Sequence, residues 1–254
     1  MLRPFAHLVI IVLLTVVTQI GGVVWFAALF IARGRGRLVF FAVAVVLYGA
    51  AWGGARVVAP MFGRQAIPCF QVEPGQPSAA HPFFCLANRT YVTPDLARHL
   101  DGLGVYMETR FPGTHVRVLD GGFPFGSVPL LPHLSHGDGR KVDLALWYEG
   151  GGLRSPIGYF AFEQPESGAP EICGQTRGLT LRWDLAWLQP LWPEKPLDET
   201  RTGAALSWLA QNTPLGGKVF VEPHLVRKLG DAHSAIRFQG CRAARHDDHI
   251  HVQI

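Results

Sequence analysis

Two long uncharged stretches open the chain. Leu8 to Ala32 (LVIIVLLTVVTQIGGVVWFAALFIA) has Thr15, Thr18 and Gln19 as its only polar residues. As one helix it would measure about 37 Å, enough to cross a ~30 Å hydrocarbon core with tilt. Arg33-Gly34-Arg35-Gly36-Arg37 follows, then a second uncharged run from Leu38 to Ala55, ended by Arg56. That run would measure about 27 Å, near the lower limit for a span. Apolar residues surround both, so neither has a polar face to turn to water. The first run is too long for the apolar region of a signal peptide, and no A-x-A site precedes the Arg cluster. The pattern predicts a two-helix transmembrane hairpin within residues 1–60, with spans of about 8–32 and 38–55. Trp25, Tyr48 and Trp52 are candidate interface anchors. Three Arg in the short loop against Arg3 alone in the tail place the loop in the cytoplasm and residues 57–254 outside.

Beyond the hairpin the pattern changes. Residues 61–85 are rich in Pro, Gly, Gln and Ser and read as a linker. Thr93-Pro94 is a helix start, a capping hydroxyl followed by Pro at the first helical position. Leu96, Leu100, Leu103 and Tyr106 continue a helical stripe to about Arg110. Thr202 to Asn212 reads as a second helix and Pro223 to Leu229 as a short third. Strands are expected at Val116–Leu119, Lys141–Tyr148, Gly158–Glu163, Leu179–Trp183, Lys218–Val221 and His249–Ile254. Asp120 to Ser135, rich in Gly and Pro, is a loop. The elements mix without a βαβ alternation. An α+β domain over residues 86–254 follows, a small antiparallel sheet with flanking helices.

Composition refines this reading. Hydrophobic residues are 48% of the chain and charged residues 17%, below the ~25% of an ordinary soluble domain, which excludes a disordered chain. The net charge of +4 suggests nucleic acid only until it is located. Residues 1–72 carry six Arg and no acidic group, so the remainder is slightly acidic and has no basic stripe for phosphates. Four cysteines, Cys69, Cys85, Cys173 and Cys241, all follow the hairpin. There is no CxxC for a zinc ribbon. An even count in an exported domain suggests up to two disulfides, with three possible connectivities.

The candidate chemistry lies in the histidines, which fall in two clusters: His133-Leu-Ser-His136-Gly-Asp-Gly-Arg-Lys-Val-Asp143, and His246-Asp247-Asp248-His249-Ile250-His251. Two apart on a strand, His249 and His251 project from one face. A carboxylate and two imidazoles from two strands and a loop make a three-ligand zinc set, with the fourth position left for water, as in catalytic sites. Zinc would bring the pKa of this water to about 7 and polarise a carbonyl. A neighbouring acid or base would then move protons.

Ser135-His136-Gly-Asp-Gly139-Arg-Lys-Val-Asp143 resembles the S-H-x-x-G-x-x-x-D motif of the lysostaphin, D-Ala-D-Ala carboxypeptidase and hedgehog-type metallopeptidase superfamily. His133, Lys218 to Leu229 and the closing His246-x-x-His249-x-His251-Val are similar to segments of the penicillin-insensitive murein endopeptidases within it. The likeness covers roughly Thr93 to Ile254. It implies one zinc ion held by His136, Asp143 and His251, and hydrolysis of peptidoglycan peptide cross-links. It points to His249 as general base, with Asp248 second and His246 as support or oxyanion contact; His133 is placed as a substrate contact or as support behind the ligands. Lys141 departs from the family, which has a further Asp there, and residues 150–200 match nothing in it. The expectation is a membrane-anchored zinc peptidase on the periplasmic face of a bacterial cytoplasmic membrane. The alternatives are a D,D-carboxypeptidase of the same superfamily, or a catalytically silent wall-binding or scaffold protein. The expected partners are peptidoglycan peptide and the membrane, with the hairpin able to dock a membrane protein. Trp147, Trp183, Trp187, Trp192 and Trp208 either stack on sugars or build core.

Overall fold

A computed structural model describes residues 2–131, 133–166, 172–174 and 180–254. It opens with three helices, α1 (Leu2–Thr18), α2 (Gly21–Ile31) and α3 (Arg37–Val58). The first apolar run is therefore not one span. It breaks at Gln19, which takes a left-handed φ of 65°. Thr18 ends α1 by donating to Leu14 O (2.7 Å), and its Oγ1 accepts from Gly21 N (2.8 Å) to start α2. The two helices then fold back on each other. Trp25 Nε1 donates to His7 Nδ1 at 3.2 Å, across the break. A Cβ on Gly22 would lie 1.9 Å from Thr15 Oγ1, so glycine is required for this approach. The start of α1 and the end of α2 consequently lie at the same end of the unit. At 11 residues, α2 rises about 16 Å, too little to cross a bilayer. Among the described residues, one helix is long and apolar enough to span a membrane, beginning at Arg37 and running through α3 to Phe62.

The segment expected as a linker is built into the folded domain. Gln65–Ala66 (β1) pairs antiparallel with Tyr91–Val92 (β3). Ser78–Ala79 (β2) joins the main sheet beside Arg117–Val118 (β4). Pro82–Leu86 (α4) packs along α3, where Tyr48 Oη donates to Leu86 O (2.6 Å) and Trp52 Nε1 to Cys85 O (2.9 Å). The disulfides pair Cys69 with Cys85 and Cys173 with Cys241.

The remaining elements are α5 (Pro94–Arg110), β5 (Lys141–Ala145), α6 (Glu199–Asn212), β6 (Lys218–Phe220), α7 (Pro223–Leu229), β7 (Ile236–Arg237) and β8 (His249–Gln253). Thr93 caps α5, accepting from Leu96 N. The main sheet has six strands in the order β2-β4-β5-β8-β6-β7. It is mixed, not purely antiparallel: β2 and β7 pair parallel at its two edges, while β4, β5, β8 and β6 run antiparallel. Gly158–Glu163 forms no strand. Leu179 lies outside the described residues, and Thr180–Trp183 are irregular.

Side-chain alternation divides the sheet. Val142, Leu144, Ile250, Val252 and Val219 turn to one face and join a core with Leu96, Leu100, Leu103 and Met107 of α5 and Leu206 and Leu209 of α6. Each such fully buried side chain contributes about 1.5–3 kcal/mol over its exposed state. The intervening residues Asp143, His249 and His251 must then face the other way.

Candidate metal centre

Register sets the heart of the site. Asp143 on β5 lies directly opposite His251 on β8, and His251 Nδ1 meets Asp143 Oδ1 at 2.8 Å. His136 enters from a short 3-10 turn, Leu134–Asp138. Its Nε2 lies 3.2 Å from His251 Nδ1 and 3.3 Å from Asp143 Oδ1. Tetrahedral ligands at 2.0–2.1 Å from zinc stand about 3.3 Å apart. These three atoms approximate one face of such a tetrahedron, and all three residues are buried. His136 Nδ1 donates to Gly121 O (2.6 Å), which fixes the tautomer that leaves Nε2 free to ligate.

The turn carrying His136 is clamped from two sides. Arg64, just after α3, donates to the carbonyls of Asp138, Gly137 (3.0 Å) and Gly126 (3.1 Å). Gly139 closes the turn at φ 70°, and a Cβ there would lie 2.5 Å from the Arg64 guanidinium. Arg89 forms a buried two-point ion pair with Asp120 (2.6 and 2.8 Å) and donates to Leu131 O (2.8 Å).

The other oxygen of Asp143 is also engaged. Oδ2 meets His133 Nδ1 at 2.5 Å and accepts from Tyr159 Oη at 2.6 Å. Asp143 thus presents Oδ1 to the ligand cluster while two side chains hold Oδ2. His133, Asp143 and His249 form a second group of donor atoms, sharing this carboxylate. In the first group His136 has its second nitrogen anchored on a backbone carbonyl, and in the second His249 has its second nitrogen on Asp248.

His249 stands beside the cluster. Its Nδ1 lies 2.5 Å from Asp248 Oδ1, and its Nε2, 3.7 Å from Asp143 Oδ1, is buried and unpartnered among the described residues. Asp248 Oδ2 accepts from Phe160 N (2.5 Å), so both its oxygens are committed and it acts as a holder of His249. The His246 ring lies 5.0 Å from that of His249 and 5.5 Å from that of His251. The sequence clusters therefore converge: His133, His136, Asp143, His246, Asp248, His249 and His251 all meet here.

The electrostatics follow from burial and from one carboxylate. Burial opposes ionisation of Asp143, but the surrounding imidazoles hold it well below the usual carboxylate range. Burial likewise opposes protonation of His136 and His249. The Asp143 carboxylate outweighs it at His136, and Asp143 with Asp248 holds His249 at about 9. For His251 burial wins and pushes the imidazole down to about 4. Burial and the neighbouring imidazoles keep His246 well below its ordinary value, a neutral ring. Tyr159 is pushed up by burial and by the Asp120 and Asp143 carboxylates, so it stays a phenol and a donor.

Sequence reasoning missed Tyr159, Arg64, Arg89, Asp120 and the Gly121 carbonyl. Each acts through a contact remote in sequence or through backbone, and none belongs to a short motif. Of the tryptophans weighed as sugar platforms, Trp147 is core, Trp208 packs on Tyr106, and Trp192 donates to Phe160 O. Trp183 and Trp187 remain exposed.

No protein-family model matches the chain, and no curated protein matches it.

Proposed function

We propose that the chain is a zinc-dependent peptidase, anchored in a bacterial cytoplasmic membrane, that hydrolyses peptide cross-links of peptidoglycan on the outer side. The observation that carries the chemistry is the close triangle of His136 Nε2, Asp143 Oδ1 and His251 Nδ1, with the free Nε2 of His249 beside it. When bound, zinc supplies a Lewis acid that polarises the scissile carbonyl and makes water a nucleophile near neutral pH.

The chain's own groups supply the rest. With Asp143 engaged by the metal, the charge that keeps His249 protonated would be taken up, and His249 Nε2 would then accept the proton of the attacking water and return it to the leaving amine. Asp248 fixes the ring for this transfer through Nδ1. His246, neutral and close, offers a hydrogen bond to the tetrahedral oxyanion. His133 and Tyr159 hold Asp143 so that its Oδ1 stays on the ligand side.

In this reading α3 is the span. The Arg33–Arg37 loop stays in the cytoplasm by the positive-inside rule, and the start of α1 lies on the same side. Two disulfides support an oxidising compartment for the domain. The peptidoglycan substrate rests on the motif resemblance alone.

The test uses the full chain in detergent with purified peptidoglycan, with and without a chelator, and muropeptides resolved by mass. Loss of cross-linked dimers with gain of monomers, abolished by chelator, is the expected result. Release of D-Ala alone would make it a carboxypeptidase. Unchanged muropeptides from a chain that binds no zinc would sink the reading and favour a silent scaffold.

A further inference from the structure

A cleft open to solvent lies against the centre, and His133, Tyr159, Asp248 and His249 are among its lining residues. Its walls are Phe160, Phe162, Leu181, Trp183, Leu185 and Ala244. Among the described residues, Arg245 and Asp248 are the guanidinium and the carboxylate that line it. Neither is free. Arg245 binds Asp247 with both Nε (3.0 Å) and Nη2 (2.5 Å), and its guanidinium stacks 4.2 Å from the Phe162 ring. Asp248 is held by His249 and by Phe160 N. The described wall is otherwise mostly apolar, so burying a charged substrate group against it costs several kcal/mol or more. An apolar group would gain from burial.

The wall is also held in an unusual shape. Phe160 takes φ 69°, a left-handed conformation rare for an aromatic residue. Its N–H is bound by Asp248, and its carbonyl accepts from Gln189 Nε2 (2.9 Å) and Trp192 Nε1 (2.8 Å). The same Asp248 thus holds both the imidazole of His249 and the backbone of Phe160 in the cleft wall. Strain maintained by long-range contacts beside candidate reacting groups marks a functional position.

We infer that this cleft is a side-chain subsite that takes a bulky apolar residue, aliphatic or aromatic, next to the scissile bond. The inference rests on the zinc-peptidase reading and not on peptidoglycan as the substrate. It makes a peptide with a large apolar side chain the better substrate of the same centre.

The test measures binding of two zinc-directed probes to the zinc-loaded full chain in detergent by calorimetry. The probes are acetyl-alanine hydroxamate and acetyl-phenylalanine hydroxamate. The expected result is binding of the phenylalanine probe tighter by about tenfold or more. Trp183→Ala, at a half-exposed position, should remove most of that difference. Trp187→Ala, at an exposed position that does not line the cleft, should preserve it. Equal binding of the two probes would overturn the subsite and leave the zinc centre standing. A difference that persists in Trp183→Ala would overturn the assignment to this cleft. Failure of both probes to bind would overturn the zinc reading and the inference with it.

Discussion

Asp143, His249 and His251 reach the centre from β-strands, whereas His133 and His136 reach it from a loop. The strand residues owe their places to register. Asp143 faces His251 because Val142 and Leu144 face Val252 and Ile250 in the core. A slip of one residue would turn all of them over, so the core's apolar burial fixes these candidate ligands as well. The loop residues have no such support. His136 is placed by the Gly121 carbonyl, by Arg64 across three carbonyls and by Arg89 through Leu131. One half of the centre is thus built by periodicity and the other by long-range clamps. Loss of a strand ligand should abolish the site; loss of a clamp should weaken it in degrees.

The largest effect is expected for Asp143→Ala. It removes the carboxylate common to both donor groups. Zinc bound per chain should fall from about one to near zero after dialysis, and activity with it. In the parent chain, zinc at 1,000 times its dissociation constant should stabilise the fold by about 4 kcal/mol, a gain absent in the variant. A variant that kept both its zinc and that gain would refute the ligand set.

Next is Arg89→Ala. It leaves Asp120 buried and unpaired, which costs about 3–5 kcal/mol. The melting temperature should fall steeply, and added zinc should restore part of it, since the strand ligands persist. Arg64→Ala should cost less stability, because its partners are carbonyls. Its main effect should appear in zinc affinity, lower by about 10-fold as for other groups that orient a ligand. Competition with a chromophoric chelator measures it. Equal affinity in parent and Arg64→Ala would mean that the turn holds its shape without the clamp.

The same contrast explains what was legible in the chain beforehand. The strand of His249 and His251 and the helix of Leu96, Leu100 and Leu103 follow from local period and from the Thr93 cap. His136 and Asp143 were found by spacing. What escaped depends on partners far along the chain. Gly158–Glu163, a short aromatic run, reads as a strand candidate, yet Phe160 N bonds Asp248, 88 positions away, instead of a neighbouring strand. The break at Gln19 is a similar case. One amide in an apolar run reads as tolerated within a span, but its side chain bonds a loop 106 residues on. Gly21 and Gly22 were the only local hint that α1 and α2 could fold back closely.

The smallest effect should come from Gln19, and it tests whether the N-terminal helices take part in the centre at all. Its Nε2 donates to Phe125 O (2.6 Å) and its Oε1 accepts from Phe125 N (3.2 Å). Phe125 also packs edge-on against Phe62, just beyond α3. Gly121, whose carbonyl orients His136, lies four residues before it in the same loop. Gln19→Leu keeps the apolar bulk and removes both hydrogen bonds. In the full chain it should lower zinc affinity only a few-fold, less than Arg64→Ala, because Arg64 still holds Gly126. The double variant should lose more than the sum of the two single losses in free energy, since each clamp supports the same loop. Strict additivity by chelator competition would show instead that α1 and α2 do not brace the loop that carries His136.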